Sequence, residues 1–472
     1  MRDRPPTVLA GATCGETIQR LVDEQASSVV VTTAGGRLLG ILTDRDVARR
    51  ITFRVSPDTP IDQVMTRGVL AIAAGEYLYH AIGRMRRYRL RQLPVVDESQ
   101  AVIGVVDLFD VLSAASERTM RRIDLITHEG TLEGLRAAKT AQVELAAELL
   151  ADGLPAPEIQ RLLSHINNDI YRCVTDLCLA ELATEGWGGP PVAFAVIVMG
   201  SSGRGENFLG SDQDNGFILA DYPDAEHNRI DGYFRELASR LVDTLDTIGL
   251  PLCSGHCMAV NPVWRKTLSQ WFQQLEGWGR QRNRIAFRLW DIFFDFQPVW
   301  GGQHDLASRL RGHVLTMMRE DRTLLRAMHD ETVDHNVGLG LLGGFVTEQD
   351  DPFHRGQINL KHHALLPMVE AVRLLALREG VEPTGTLARL DALRDRGVFD
   401  AREREDLRSA FADIANLLLD QQIADCRIGR KATYFVHPDS LPRAVRERLA
   451  EAMGAIDKLR RWVRAELTGT LS

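Results

Sequence analysis

The stretch from Pro191 to Ala220, PVAFAVIVMGSSGRGENFLGSDQDNGFILA, constrains this chain more than any other. An apolar run, Val192 to Met199, stops at Gly200-Ser201-Ser202-Gly203, and a polar turn leads through Ser211-Asp212-Gln213-Asp214 into a second apolar run. Short apolar runs punctuated by glycine predict a strand, a glycine turn, a short helix and a second strand. Side chains two apart on a strand share a face, so Asp212 and Asp214 stand side by side. Two close carboxylates repel unless a cation neutralises them. A hard divalent ion such as Mg²⁺ does so with oxygen ligands and keeps room for phosphates. Gly200 and Gly203 let the backbone approach a phosphate, and Ser201 or Ser202 offers a hydroxyl.

The string Gly200-Ser201-Ser202-Gly203-Arg204-Gly205-Glu206, followed by Ser211-Asp212-Gln213-Asp214, resembles the signature of the polymerase-β-type nucleotidyltransferases. Its Arg-Gly-Glu insertion is similar to that of the bacterial protein-PII uridylyltransferases and of a related CBS-linked group. The resemblance implies transfer of a nucleoside monophosphate from an NTP, UTP or ATP, to a hydroxyl, with Mg²⁺ or Mn²⁺ held by Asp212 and Asp214. Gly200, Ser201 and Ser202 would then hold phosphates. A third carboxylate is expected from a neighbouring strand, because two metals need three bridging or flanking ligands. Asp295 fits that place. It lies in the apolar run Phe287 to Val299, read as a buried strand, where an ionised carboxylate needs a partner. Asp291 is the alternative. Arg204 either neutralises the triphosphate or pairs with Glu206. A protein acceptor of the PII type is implied by the resemblance alone.

A chain of 472 residues is too long for one ordinary core, and 44% hydrophobic with 25% charged residues is the composition of a soluble globular protein. With 56 basic against 64 acidic residues, the net charge of −8 leaves no electrostatic footprint for nucleic acid. Neither an apolar leader nor a membrane-length apolar run is present, and six irregularly spaced cysteines form no disulfide framework. A reducing cytoplasm is the expected location. Cys253, His256 and Cys257 lie close in sequence but lack a second Cys/His pair, so they are not read as a zinc site.

The first hundred or so residues contain one pattern twice. A helix near Thr17 to Gln25, a strand Ser28 to Thr32 and the run Gly40 to Val47 are echoed by a helix near Tyr77 to Tyr88, a strand Gln92 to Asp97 and the run Gly104 to Val111. This pair resembles tandem CBS domains, which bind adenine nucleotides between the repeats. Carried over, the resemblance assigns Thr43 to the phosphates, Asp46 to the ribose and Asp110 to the ribose in the second copy. Asp107 replaces the threonine there, and its charge would repel a phosphate. The competing reading is that Asp46 and Asp110 simply cap the helices that follow them.

Residues 116–186 read as connecting helices broken at Gly153-Leu154-Pro155-Ala156-Pro157. From His304 onward the pattern is again helical, and the segment from Gly356 to Leu374 resembles the C-terminal helical domain of the CBS-linked group. Lys361 is its candidate nucleotide contact, as a point charge. The lone pair His329-Asp330 does not reproduce the phosphohydrolase domain of full-length uridylyltransferases, so no nucleotide-removing activity is expected. The expected architecture is therefore multidomain α/β and α: a tandem CBS pair (1–115), connecting helices (116–186), a polymerase-β-type nucleotidyltransferase core with a mixed sheet (187–303) and a C-terminal helical substrate-binding domain (304–472). Association into a homodimer through the CBS pair is expected from the resemblance. The alternative function is a non-catalytic adenylate sensor that uses the transferase fold as a binding platform.

Overall fold

The computed structural model describes residues 2–3, 6–24, 26–51, 54–74, 81, 84–85, 90–97, 99–107, 131–331, 336–340 and 344–468. Asp110, most of the helix expected near Tyr77 to Tyr88 and the first part of the connecting region fall outside them. The chain divides into two compact units, Met1–Arg121 with Ala151–Leu154, and Arg122–Leu150 with Pro155–Ser472.

In the first unit the sequence repeat becomes a repeat of topology. Strands β2 (Thr7–Leu9), β3 (Ser28–Thr32), β4 (Leu38–Thr43) and β5 (Thr66–Arg67) form one sheet, in which β2 runs parallel to β3 and the next two pairings are antiparallel. Strands β6 (Ile72–Ala73), β7 (Gln92–Val96), β8 (Val102–Asp107) and β1 (Arg2–Asp3) repeat that order and those directions. The chain's first strand thus completes the second copy. Helix α1 (Cys14–Asp23) starts on a reciprocal cap between Thr13 and Glu16 and turns Cys14, Thr17 and Leu21 inward. Cys14 and Leu21 pack among Val29, Val31, Leu42 and Met65.

The second unit is built on a four-stranded mixed sheet of order β11-β10-β9-β12, made of β9 (Phe194–Val198), β10 (Asn215–Leu219), β11 (Arg265–Thr267) and β12 (Gln297–Trp300). All five residues of both β9 and β10 are buried, as expected for central strands covered on two faces. Helices α2 (Leu132–Ala151), α3 (Ala156–Thr184) and α5 (His227–Ile248) accompany the sheet, and the short α4 (Gly200–Arg204) follows β9. Helices α6 (Leu268–Gln281), α7 (Arg284–Phe293), α8 (Leu306–Glu320) and α9 (Arg322–Glu331) share a core containing Trp264, Trp271, Trp290 and Phe293. The C-terminal bundle comprises α10 (Leu366–Arg378), α11 (Thr386–Asp395), α12 (Ala401–Arg427) and α13 (Arg443–Thr468).

Two local expectations are corrected. The run Phe287 to Val299 is not one strand: Arg284–Phe293 is helical, and only Gln297–Trp300 joins the sheet. Asn283 caps the helix, its Oδ1 accepting from the Ala286 amide at 2.9 Å, and Ala286, Phe287, Trp290 and Phe293 then fall inward at three- and four-residue steps. The C-terminal region also carries a small sheet, in which Ile358–Asn359 pairs with Phe435–Val436.

Candidate active site

Asp212 and Asp214 precede β10, on an extended segment tied to its surroundings by alternate amides. Gln213 donates to the Pro251 carbonyl at 2.9 Å and Asn215 to the Cys257 carbonyl at 2.9 Å. Burial alternates accordingly: Ser211, Gln213 and Asn215 are buried, while Asp212 and Asp214 are half-buried. The two carboxylates therefore share a face, with the buried amides between them as anchors. The Gln213 side chain donates to the carbonyls of Val242 and Leu250, and Asn215 Oδ1 accepts from the Ala259 amide at 2.9 Å. Neither anchor was singled out in the sequence, although buried amides flanking an Asp pair are the kind of residue such a turn needs.

Asp214 is the charged focus. Burial, then the adjacent Cys253 and Asp212, pushes its carboxyl well above the usual carboxylate range, with Lys361 opposing. Its Oδ1 is buried without a hydrogen-bond partner among the described residues. Such an oxygen suits a cation. Met199 donates its amide to the Asp214 carbonyl at 2.9 Å, and the chain then turns at Gly200 with φ +55°. Ser201 and Ser202 follow, with hydroxyls 3.3 and 3.0 Å from Oδ1 of Asn207. Ser201, Arg204, Lys361 and Tyr434 line one small pocket, and the Lys361 ammonium sits 4.5 Å from the Tyr434 ring centroid.

Asp295, expected as a third metal ligand, stands in a cluster of arginines. It occupies the turn after α7, fully buried, with Oδ2 2.8 Å from Arg204 and 2.9 Å from Arg373, and Oδ1 2.7 Å from Arg389. Burial alone would raise its carboxyl, but Arg389, Arg373 and Arg204 together hold it well below the usual range. Asp295 thus pairs with three guanidinium groups and acts as an ionic anchor, and a metal at this carboxylate would compete with them. Asp291, one helical turn earlier, is reached by Arg373 at 3.1 Å. Arg204 likewise is no free clamp for a triphosphate. It is held by Glu206 at 2.6 Å as well as by Asp295, while Glu206 Oε1 accepts from the Thr386 amide at 2.6 Å. Three arginines and the carboxylates of Glu206, Asp291 and Asp295 balance in charge, and they lock the glycine loop to α10 and α11. Arg373 and Arg389 were invisible as partners in the sequence, some eighty or more residues from the aspartate they meet.

Comparison with protein-family models places CBS domains on residues 1–52 and 55–117, "Putative nucleotidyltransferase DUF294" on residues 140–284 and "Putative nucleotidyltransferase substrate binding domain" on residues 322–467. The chain belongs to the CBS-linked nucleotidyltransferase family. Among curated proteins it is 30% identical over 111 residues to a homoserine O-acetyltransferase of Methanococcoides burtonii, covering 24% of this chain and 22% of that protein. It is also 30% identical over 117 residues to the CBS domain-containing protein CBSCBSPB1 of Arabidopsis thaliana, covering 24% of this chain and 21% of that one. The chain thus spans about a fifth of the length of these relatives. Among solved structures, a CBS domain protein of Pyrobaculum aerophilum in complex with AMP is 21% identical, covering 23% of this chain and 85% of that chain at a TM-score of 0.22. A CBS-domain protein of Agrobacterium tumefaciens is 27% identical, covering 24% and 90%, also at 0.22.

In this nucleotidyltransferase-family chain the CBS residues Thr43 and Asp46 form a reciprocal cap. Thr43 Oγ1 accepts from the Asp46 amide at 3.2 Å, and the Thr43 amide donates to Asp46 Oδ2 at 3.1 Å. Arg50 binds the other Asp46 oxygen at 2.7 Å. Asp107 ends β8 with Arg91 3.5 Å away, so its negative charge is partly offset. No described helix is long and apolar enough to cross a membrane.

Proposed function

We propose that the chain transfers a nucleoside monophosphate from an NTP to a hydroxyl acceptor. The observation that carries this reading is the pair Asp212 and Asp214 on one face, beside the turn at Gly200 and within electrostatic reach of Lys361. Asp214 Oδ1, without a hydrogen-bond partner among the described residues, and the half-buried Asp212 fit a hard divalent cation, Mg²⁺ or Mn²⁺. When bound, that ion would offset charge on the triphosphate and the departing pyrophosphate. Lys361 adds a second positive charge for the phosphates, and Gly200 and Ser201 supply a close backbone and a hydroxyl. The acceptor is proposed to be a protein of the PII type, by similarity to the protein-PII uridylyltransferases. Adenine nucleotide at Thr43 and Asp46 of a CBS-paired homodimer would regulate the transfer.

The test is transfer of label from α-labelled UTP, ATP, CTP and GTP, each with Mg²⁺ and with either PII protein or cell extract as acceptor source. Label on a discrete acceptor, absent from the Asp212→Asn/Asp214→Asn double variant, supports the transferase. No transfer under any condition, with adenylate binding retained, favours the second reading, a binding platform without catalysis. That reading draws on Asp295, whose pairing with Arg204, Arg373 and Arg389 competes with the metal-ligand role a two-metal site was expected to give it.

A further inference from the structure

The loop that closes over Asp214 brings it two thiols. Cys253 and Cys257 sit on the segment between α5 and β11, and one ligand atom from each of Asp214, Cys253 and Cys257 lies within 4.8 Å of the other two. A Cβ built on the intervening Gly255 would meet the sulfurs of both cysteines at 3.5 Å, so the two thiols turn toward the same side of the loop. The third corner is the carboxylate whose Oδ1 is buried and partnerless among the described residues. His256, which with its neighbours looked like a zinc fragment lacking a second half, is exposed and takes no part. The missing ligand comes from the Asp pair, about forty residues upstream in sequence.

We propose that Cys253, Cys257 and Asp214 form a binding site for a borderline-soft divalent cation of the Zn²⁺ class. Thiolate sulfur and carboxylate oxygen bind such an ion at about 2.3 and 2.0–2.2 Å, which sets tetrahedral ligand separations of roughly 3.5–3.8 Å. The observed spacing of up to 4.8 Å reaches that by a side-chain adjustment of at most about 1.3 Å. Cys257 is buried while Cys253 and Asp214 are half-buried, so the site has a lined floor and an open side. Three protein ligands leave the fourth position to an outside ligand, the arrangement of an open rather than a closed zinc site. Hard oxygen and soft sulfur donors thus compete for one residue. An ion held by the thiols draws Asp214 away from Asp212, and zinc becomes an inhibitor of a magnesium-dependent reaction. That consequence rests on the transferase reading; the binding itself does not.

The experiment titrates the full chain with Co²⁺ alone, anaerobically and with the thiols kept reduced. One equivalent is expected to give a thiolate-to-cobalt charge-transfer band with tetrahedral visible bands, both erased by one equivalent of Zn²⁺. Cys253→Ser and Cys257→Ser should each at least halve the charge-transfer band, the double variant should abolish it, and Asp214→Asn should weaken binding at least tenfold. In the unmutated protein, Zn²⁺ should shield the half-buried Cys253 from alkylation while leaving the exposure of Cys173 and Cys426 unchanged, a readout that needs no variant to fold. A missing band, a band that survives in the Cys253→Ser/Cys257→Ser protein, or alkylation of Cys253 unaffected by Zn²⁺ would overturn the site. Where label transfer is observed, stoichiometric Zn²⁺ should lower it at least tenfold in the wild type and less than twofold in the double serine variant, each relative to its own zinc-free rate. Binding without any transfer in zinc-free protein would retain the site and sink the transferase reading.

Discussion

Oδ2 of Asp214 lies 2.7 Å from the position a Cβ on Gly200 would occupy, and Gly200 itself holds a φ of +55°. The first strand therefore turns beneath the carboxylate with no room for a side chain, in a backbone region that favours glycine. Gly200→Ala must push Asp214 out of place or open the turn. Displacement of a reacting group by about an ångström costs on the order of a hundredfold in rate. We expect Gly200→Ala to lose label transfer by about that factor while thermal unfolding shifts by only a few degrees. Transfer at wild-type rate in the alanine variant would show that Asp214 does not need its present position.

Asp295 gives a prediction of opposite character. A metal ligand exchanged for its amide usually leaves the fold intact, whereas an anion gathering three buried guanidinium groups does not. Asp295→Asn leaves Arg204, Arg373 and Arg389 without their shared counter-charge, and removing one partner of a buried ionic cluster costs about 3–5 kcal/mol. The pH dependence follows from the lowered carboxyl. Its contribution is complete above the unfolded-chain value, near 3.8, and is lost as the pH falls through the still lower folded value. All seven tryptophans lie beyond residue 186, so their fluorescence reports on the second unit alone. Urea unfolding followed that way should show the deficit of Asp295→Asn at pH 7 and its shrinkage below about pH 3. Equal stability of the two proteins at pH 7 would return Asp295 to the role of metal ligand.

What the sequence disclosed and what it withheld divide along physical lines. The β9-turn-Asp pair is local: apolar runs, glycines and two-residue spacing all lie within thirty residues, and periodicity reads them. The CBS repeat was legible for the same reason, since each copy carries its own strands and turns. The partners of Asp295 were not, because Arg373 and Arg389 come from helices folded back over the core, and no spacing rule links them. The helix from Arg284 to Phe293 was masked by its composition. A stretch rich in Phe, Ile and Trp has strand-like propensity, and the Asn283 cap with the inward faces of Phe287, Trp290 and Phe293 overrides it. The thiols beside Asp214 have no second Cys/His pair at zinc-site spacing, and their third donor is a carboxylate about forty residues away in sequence, which no spacing rule links to them.

In the CBS unit the question is whether Asp46 is a cap, a ligand or both. Asp46 is the N3 residue of the box that Thr43 caps, and an asparagine oxygen there still accepts from the Thr43 amide, so Asp46→Asn should keep the turn and remove one negative charge beside Arg50. If the carboxylate also holds ribose hydroxyls, AMP affinity measured by calorimetry falls at least tenfold in Asp46→Asn. Unchanged affinity would leave Asp46 with the structural role alone.

Lys139 offers a test of burial itself. Its ammonium is enclosed between α2 and α3, donating to Gln142 Oε1 at 2.9 Å and Asn167 Oδ1 at 3.3 Å without a carboxylate partner among the described residues. Burial pulls its pKa down from 10.5 to about 8. Below pH 8 the cation is carried in both folded and unfolded chains, and the folded state bears the whole desolvation cost. Between pH 8 and 10.5 the unfolded chain binds more protons than the folded one, so stability rises with pH by this group's contribution, reaching about 3 kcal/mol at the upper end. Lys139→Met removes that dependence. Tryptophan-monitored urea unfolding at pH 7, 8.5 and 10 should therefore show wild type gaining on the variant by about 2 kcal/mol across the series. A constant difference between the two proteins would mean that Lys139 stays charged when folded, paired through water or a movement of Gln142 and Asn167 that this packing does not require.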